Sequence, residues 1–231
     1  MSALHAIVFD FDGVIADSER LHLRAFQEIL ATQTIELTRE AYYAQYLGFD
    51  DHGVFRQVYR DLHRPLAPAD LETLVTRKGE RYEALAAAGE MLYPGAAAFI
   101  RAAAAVVPIA VASGAQTHEI EHVLGKASLR DCFVTVVGAD QTPASKPAPD
   151  PYLEAFARLG RHAGRALDPR RTVAIEDSRW GLESARAAGL RTVAVTTGYP
   201  AEALAPHAEL VAAGLHALSL EILERLCGSA T

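Results

Sequence analysis

The chain reads as an α/β protein: a parallel sheet with helices on both faces, interrupted after its first strand by an all-helical insertion. Three observations predict this. Short apolar runs without polar alternation recur along the chain, as expected of strands buried on both faces. Helical patterns lie between the later runs, which is the alternation of a parallel α/β sheet. The stretch 17–89, between the first run and the second, holds four helix-like segments and no clear strand run.

The elements follow in order. Ala6–Phe9 (AIVF) is the first strand. The insertion comes next, with helix-like segments at Glu19–Ala31, Arg39–Leu47, His52–Leu62 and Ala69–Ala88, broken by turn-prone residues and by Pro65 and Pro68. Pro94 opens a helix through AAAFIRAAAAV, as proline does in a first turn. Further strands are expected at Ile109–Ala112, Phe133–Val137, Thr172–Ile175 and Thr192–Val195. Helices are expected at Pro151–Leu159 and from Trp180 to Ala188, the second stopped by Gly189. No internal repeat is present, and the alanine-rich stretches are accounted for by helix propensity. The division is therefore a core of residues 1–16 and 90–231 with a helical domain over 17–89.

Composition narrows the chemistry. The chain has 231 residues, 50% of them hydrophobic, and a formal net charge of -7. That length suits one sizeable core plus a smaller inserted domain. An acidic excess argues against nucleic acid or an anionic membrane as partner. A phosphorylated substrate stays open, because one positive pocket can outweigh a negative surface. Cys132 and Cys227 lie far apart, without metal-ligand or redox spacing, and read as reduced thiols. The opening MSALHAIVFD has no basic segment followed by an apolar one, and Ala102–Ala112 is too short to span a bilayer. A soluble cytoplasmic protein is expected.

Four motifs carry chemistry. In Val8–Glu19 (VFDFDGVIADSE) an apolar strand ends in Asp10, with Asp12 and Gly13 close behind. The carboxyl ends of parallel strands face the ligand crevice, and two aspartates there repel unless a cation lies between them. In Val173–Gly181 (VAIEDSRWG) a second strand ends in Glu176 and Asp177, and Ser178 opens a helix. Converging carboxylates form a hard oxygen site, suited to Mg²⁺ over Zn²⁺. In Ser145–Leu153 (SKPAPDPYL) Lys146 precedes two prolines that stiffen its loop, making it a fixed point charge for a phosphoryl oxygen. In Ala110–Ala115 (AVASGA) Ser113 and Gly114 follow a strand and precede a helix, where a hydroxyl and backbone amides can cradle phosphate. Alone, each has a plainer reading, such as a turn cap or a solvated lysine. Together they balance: Asp10, Glu176 and Asp177 against Mg²⁺ and Lys146, with Asp12 protonated, before a phosphate dianion binds.

In this order the motifs resemble the haloacid dehalogenase-like hydrolase superfamily, in its β-phosphoglucomutase and phosphoglycolate phosphatase-like group. The matching segments are Ala6–Glu19, Ala110–Ala115, Ser145–Leu153 and Val173–Gly189. The resemblance implies a Rossmann-like core with a helical cap domain inserted after the first motif. Only a strand, a helix and a strand fit between Ser113 and Lys146, which leaves no room for a second cap. It implies that Asp10 attacks phosphorus and that Asp12 protonates the leaving alcohol and then activates water. Asp10, the backbone carbonyl of Asp12 and Asp177 are implied to hold Mg²⁺, with Glu176 either joining them or orienting Lys146. Ser113, the Gly114 amide and Lys146 are implied to hold the phosphoryl oxygens. Dehalogenase members lack an acid two residues after the nucleophile, so Asp12 favours phosphoryl chemistry.

Substrate choice rests with the helical insertion. Asp17–His22 (DSERLH) is similar to the group's hinge, with His22 at a hinge histidine position, and Thr76–Tyr82 (TRKGERY) places Lys78 at a substrate-contacting lysine. Where the mutase has an arginine for a distal phosphate, this chain has Asp51, which disfavours a mutase. Arg20, Asp50 and His52 are further substrate-facing candidates. Phosphonatase relatives need a lysine early in the cap, and none precedes Lys78. Trp180 is expected to pack beside the metal loop. The expected activity is phosphatase action on a small phosphorylated metabolite, such as a sugar phosphate or phosphoglycolate, by a monomer or homodimer. The alternatives are a sugar-phosphate mutase and a catalytically silent binding protein.

Overall fold

The structure is a computed structural model and describes residues 3–46, 49, 51–87 and 91–228. Asp50 lies outside the described residues. The chain divides into two compact units, one formed by Met1–Asp17 with Met91–Thr231 and the other by Ser18–Glu90.

The first unit is built on six strands, β1 (Ala6–Phe9), β2 (Ile109–Ala112), β3 (Thr135–Val137), β4 (Thr172–Glu176), β5 (Arg191–Val195) and β6 (Leu210–Ala212). All pairings are parallel, in the order β3-β2-β1-β4-β5-β6. This is a doubly wound Rossmann-like sheet, as the strand–helix alternation predicts. Strand β1 is buried along its whole length, and its residues alternate between faces. Ala6 and Val8 pack with Tyr152, Ala155 and Leu159 of a helix spanning Asp150–Ala163. Phe9 points the other way, edge-on to Phe99 at 6.1 Å and Phe133 at 6.0 Å.

The second unit holds helices α1 (Ser18–Ala31), α2 (Arg39–Ala41), α3 (Asp51–Asp61) and α4 (Pro68–Ala87). Their core is a cluster of Leu, Ile, Val and aromatic side chains around Phe26 and Phe55, with ring centroids 5.2 Å apart. The first unit then continues with α5 (Ala96–Ala104), α6 (Thr117–Lys126), α7 (Asp150–Ala163), α8 (Arg179–Ala187), α9 (Ala201–Leu204) and α10 (Leu220–Gly228).

Several boundaries differ from the sequence reading, each for a local reason. Helix α5 starts after Gly95, which takes a left-handed φ of 80° as N-cap, so Pro94 lies before the helix and not in its first turn. The Arg39–Leu47 segment is a single α turn capped by Thr38, followed by a π-helical turn over Tyr42–Tyr46. Strand β6 is three residues long and only half-buried, too short for its apolar run to stand out. Between Ser113 and Lys146 lie α6, β3 and two short 3₁₀ turns, one strand fewer than expected. Gly189 takes a φ of 83° just past α8, where its sequence position predicts a helix stop.

Candidate active site

The register fixes where the chemistry gathers. Phe9 pairs with both Val111 and Ile175, so Asp10, Ser113 and Glu176 leave the sheet along one edge, at the strands' carboxyl ends. The strand order reverses direction between β1 and β4, and such a switch point is where open α/β sheets bind ligands.

Asp10 is buried immediately after β1, its amide donating to the Ile175 carbonyl at 2.9 Å. Lys146 reaches it from the loop before α7, and its Nζ donates to Asp10 Oδ1 and to Glu176 Oε1, each at 2.6 Å. The lysine loop is itself fastened, since the buried Ser184 hydroxyl of α8 donates to the Ala148 carbonyl at 2.6 Å. Burial alone would lower the Lys146 pKa, but Asp10 and Glu176 outweigh it and the ammonium is held above its ordinary range.

Glu176 is fully enclosed. Its Oε1 also accepts from the Tyr152 hydroxyl at 2.9 Å. Its Oε2 accepts from the Asp177 amide at 3.1 Å, the Ser178 amide at 3.2 Å and the Ser178 hydroxyl at 3.0 Å. Ser178 in turn N-caps α8 by accepting from the Gly181 amide. The sequence left Glu176 between joining a metal and orienting Lys146; the structure shows the Lys146 bond made and both carboxylate oxygens supplied with protein donors.

Asp177 lies against two glycines. A Cβ on Gly13 would come within 2.0 Å of Asp177 Oδ2 and one on Gly198 within 2.8 Å, and Gly13 has a φ of +79°. Gly13 is held there by its amide bond to the Ala16 carbonyl and by the Thr197 hydroxyl on its own carbonyl. Oxygens of Asp10, Glu176 and Asp177 all lie within 4.8 Å of one another. Burial, and then the neighbouring carboxylates, push Asp10 up to about 7 and Asp177 up to about 8. A cluster of crowded oxygen donors, two buried and Asp177 half-buried, fits a hard divalent cation, which would relieve the repulsion that helps to raise the Asp10 and Asp177 pKa values.

Asp12 sits half-buried in the tight turn beyond β1. Ser113 is buried at the end of β2, where its amide donates to the Val137 carbonyl and its hydroxyl oxygen accepts from the Ala115 amide at 3.1 Å. Gly114 is exposed beside it, with open space where a Cβ would stand. The four motifs thus fall on the ends of β1, β2 and β4 and on the loop that brings Lys146 to Asp10.

The family model for the haloacid dehalogenase-like hydrolases matches residues 4–189. The chain belongs to this family. Among relatives of this haloacid dehalogenase-like hydrolase, Protein CbbY of Rhodobacter capsulatus is 32% identical over 203 residues, covering 85% of this chain and 87% of that protein. Hexitol phosphatase B of Escherichia coli K12 is 31% identical over 195 residues, covering 82% of each. A crystal structure of CbbY from Rhodobacter sphaeroides in complex with phosphate superposes with a TM-score of 0.68 at 30% identity, covering 96% of this chain and 99% of that one.

In the hydrolase's helical unit, three candidate substrate residues prove to be one another's neighbours. Lys78 is buried, its Nζ 2.6 Å from both His22 Nδ1 and Asp51 Oδ1 and 4.5 Å from the centre of the Phe26 ring. His22 stacks on Tyr82 at 4.2 Å. Desolvation, then the Lys78 charge, lower the His22 pKa to about 4, and desolvation also lowers that of Lys78. Asp51 is therefore the counter-ion of Lys78 and not an isolated repelling charge. His52 instead contacts Glu72 at 3.3 Å.

Trp180 corrects its expectation: it is 51% exposed and carries the Arg179 guanidinium over its face at 4.0 Å. Tyr152 was not singled out from the sequence, although it stands in the lysine motif, because a tyrosine on the apolar side of a helix reads as core. Both cysteines are free. Among the described residues no helix is long and apolar enough to cross a membrane.

Proposed function

We propose that this hydrolase is a Mg²⁺-dependent phosphatase for small phosphorylated metabolites, sugar phosphates among them, working through an aspartyl-phosphate on Asp10. One observation carries the reading: a buried carboxylate at the switch point is tied to a largely enclosed lysine and stands beside a second strand-end carboxylate. An ammonium has three donors. Lys146 places two of them on Asp10 and Glu176 and has one for a phosphoryl oxygen. The relative named hexitol phosphatase and the CbbY structure with phosphate support a phosphorylated sugar as substrate.

Asp10, the main-chain carbonyl of Asp12 and Asp177 would hold Mg²⁺, which supplies positive charge to the phosphoryl oxygens as negative charge builds on them. Glu176 orients Lys146. The Ser113 hydroxyl and the Gly114 amide hold phosphoryl oxygens. In the first step an Asp10 oxygen bonds to phosphorus and the ester P–O bond breaks, while Asp12 gives its proton to the departing alkoxide. In the second, Asp12 takes a proton from water, whose oxygen attacks phosphorus, releasing phosphate and restoring Asp10. Residues 17–89 act as the cap, with His22, Asp51 and Lys78 as its residues for substrate choice. Because Asp51 balances Lys78, that cluster offers little net charge to a second phosphate. This supports a phosphatase over a mutase.

The test is a panel of phosphomonoesters with Mg²⁺. Wild type is expected to release phosphate from several, EDTA to abolish release, and Asp10→Asn to lose about three orders of magnitude in kcat. Wild-type activity in Asp10→Asn would overturn the reading.

A further inference from the structure

Tyr152 is the largest fully buried side chain of the described residues, and its ring is already accounted for by the core between α7 and the sheet. Phenylalanine would fill that space. The hydroxyl is a separate matter, because burying it without a partner would be costly. Its partner is Glu176 Oε1, the same oxygen that receives Lys146. The ring face meanwhile lies 5.1 Å from Lys146 Nζ, within cation–π range. Tyr152 thus touches both members of the pair, Glu176 with its hydroxyl and Lys146 with its ring.

Glu176 has no room to answer by moving. A Cβ on Gly181 would fall 1.7 Å from Glu176 Oε1, so the first turn of α8 sits directly on the carboxylate. The three donors on Oε2 fix one end of the group. At the other end, among the described residues, Oε1 accepts from Tyr152 and Lys146. Lysine is a flexible four-carbon stem with a compact charge, so what sets the position of its ammonium is what it is bonded to.

We propose that Tyr152 is a positioning residue for phosphoryl transfer: through Glu176 Oε1 its hydroxyl sets where the Lys146 ammonium stands between Asp10 and the phosphoryl oxygens. The proposal rests on the reading of Lys146 as a phosphoryl ligand. Tyr152→Phe removes one oxygen and keeps the ring, the packing and the cation–π contact. It is expected to lower kcat/KM by about 3- to 10-fold and to weaken the binding of inorganic phosphate, measured by calorimetry with Mg²⁺, by a similar factor. In a Glu176→Gln background the same substitution is expected to cost less than 2-fold, because the path through the carboxylate is already broken (about 2-fold being the resolution of such a cycle).

A Tyr152→Phe protein with wild-type kinetics and phosphate affinity, even one that melts at a lower temperature, would show a purely structural hydroxyl and overturn the proposal. An undiminished loss in the Glu176→Gln background would overturn the path through Glu176. If Glu176→Gln does not fold, the single variant's kinetics and phosphate affinity decide alone. A wild type that hydrolyses no ester would instead sink the phosphatase reading, while the phosphate-binding arm still judges the role of Tyr152.

Discussion

Gly13 shows how much a single missing side chain does at this site. Its φ of +79° is one that L side chains rarely adopt, and its hydrogen side is filled by Asp177 Oδ2, 2.0 Å from where a Cβ would stand. An alanine there strains the turn and pushes Asp177 out of the carboxylate cluster together. Gly13→Ala is therefore expected to destabilise the fold by about 1–3 kcal/mol and to cut phosphatase activity, assayed with Mg²⁺ present, by at least about tenfold. Urea unfolding and an ester assay check the two effects, and a variant as active as wild type would show that Asp177 needs no such close approach. The glycine was legible in the sequence as part of Asp-x-Asp-Gly, but the reason for it was not. The contact joins residues 164 positions apart, Gly13 and Asp177, which only the β1–β4 pairing brings together. Tyr152 was illegible for a related reason: a buried ring and a buried ring with an assigned hydroxyl have the same sequence pattern.

At the scale of elements, the sheet was the most legible part. Runs such as AIVF and IAVA have no polar face, which only a two-sided burial explains, and β1 and β2 fall on those residues. What escaped was set by tertiary context: β6 borrows its pairing from β5, and the turn over Tyr42–Tyr46 is π-helical within a helical pattern. In the helical unit, α1 and α4 meet through His22 and Lys78, and that pairing has a pH consequence. His22 titrates near 4 in the folded chain, below its ordinary 6.5, because burial and the Lys78 ammonium disfavour its charged form. The unfolded chain thus binds more protons between these values, and stability falls as pH drops from 6.5 towards 4. The loss is at most about 3 kcal/mol. Wild type is expected to lose more stability than His22→Asn across that window in urea titrations. Equal acid sensitivity of the two proteins would mean that His22 is not held neutral by the fold.

Across the whole molecule the site is assembled from four distant segments, and no one of them is specific. Asp10 follows β1, Ser113 follows β2, Lys146 comes from the loop before α7, and Glu176 and Asp177 end β4. A doubly wound sheet brings exactly such strand ends to one edge, so the order of motifs along the chain was enough to place them, though not to show which oxygen meets which donor. The acidic balance of -7 is carried with a site whose buried acids face a largely enclosed lysine, so net charge says little about what the crevice binds. The account turns on Asp10 as the group that takes the phosphoryl. Its most direct test is intact-mass analysis of enzyme quenched in acid during turnover of an active phosphomonoester with Mg²⁺, followed by peptide mapping. One added phosphoryl group is expected on the peptide holding Asp10, and none in Asp10→Asn. A phosphoryl group mapped to another residue, or turnover by Asp10→Asn at the wild-type rate, would contradict the account.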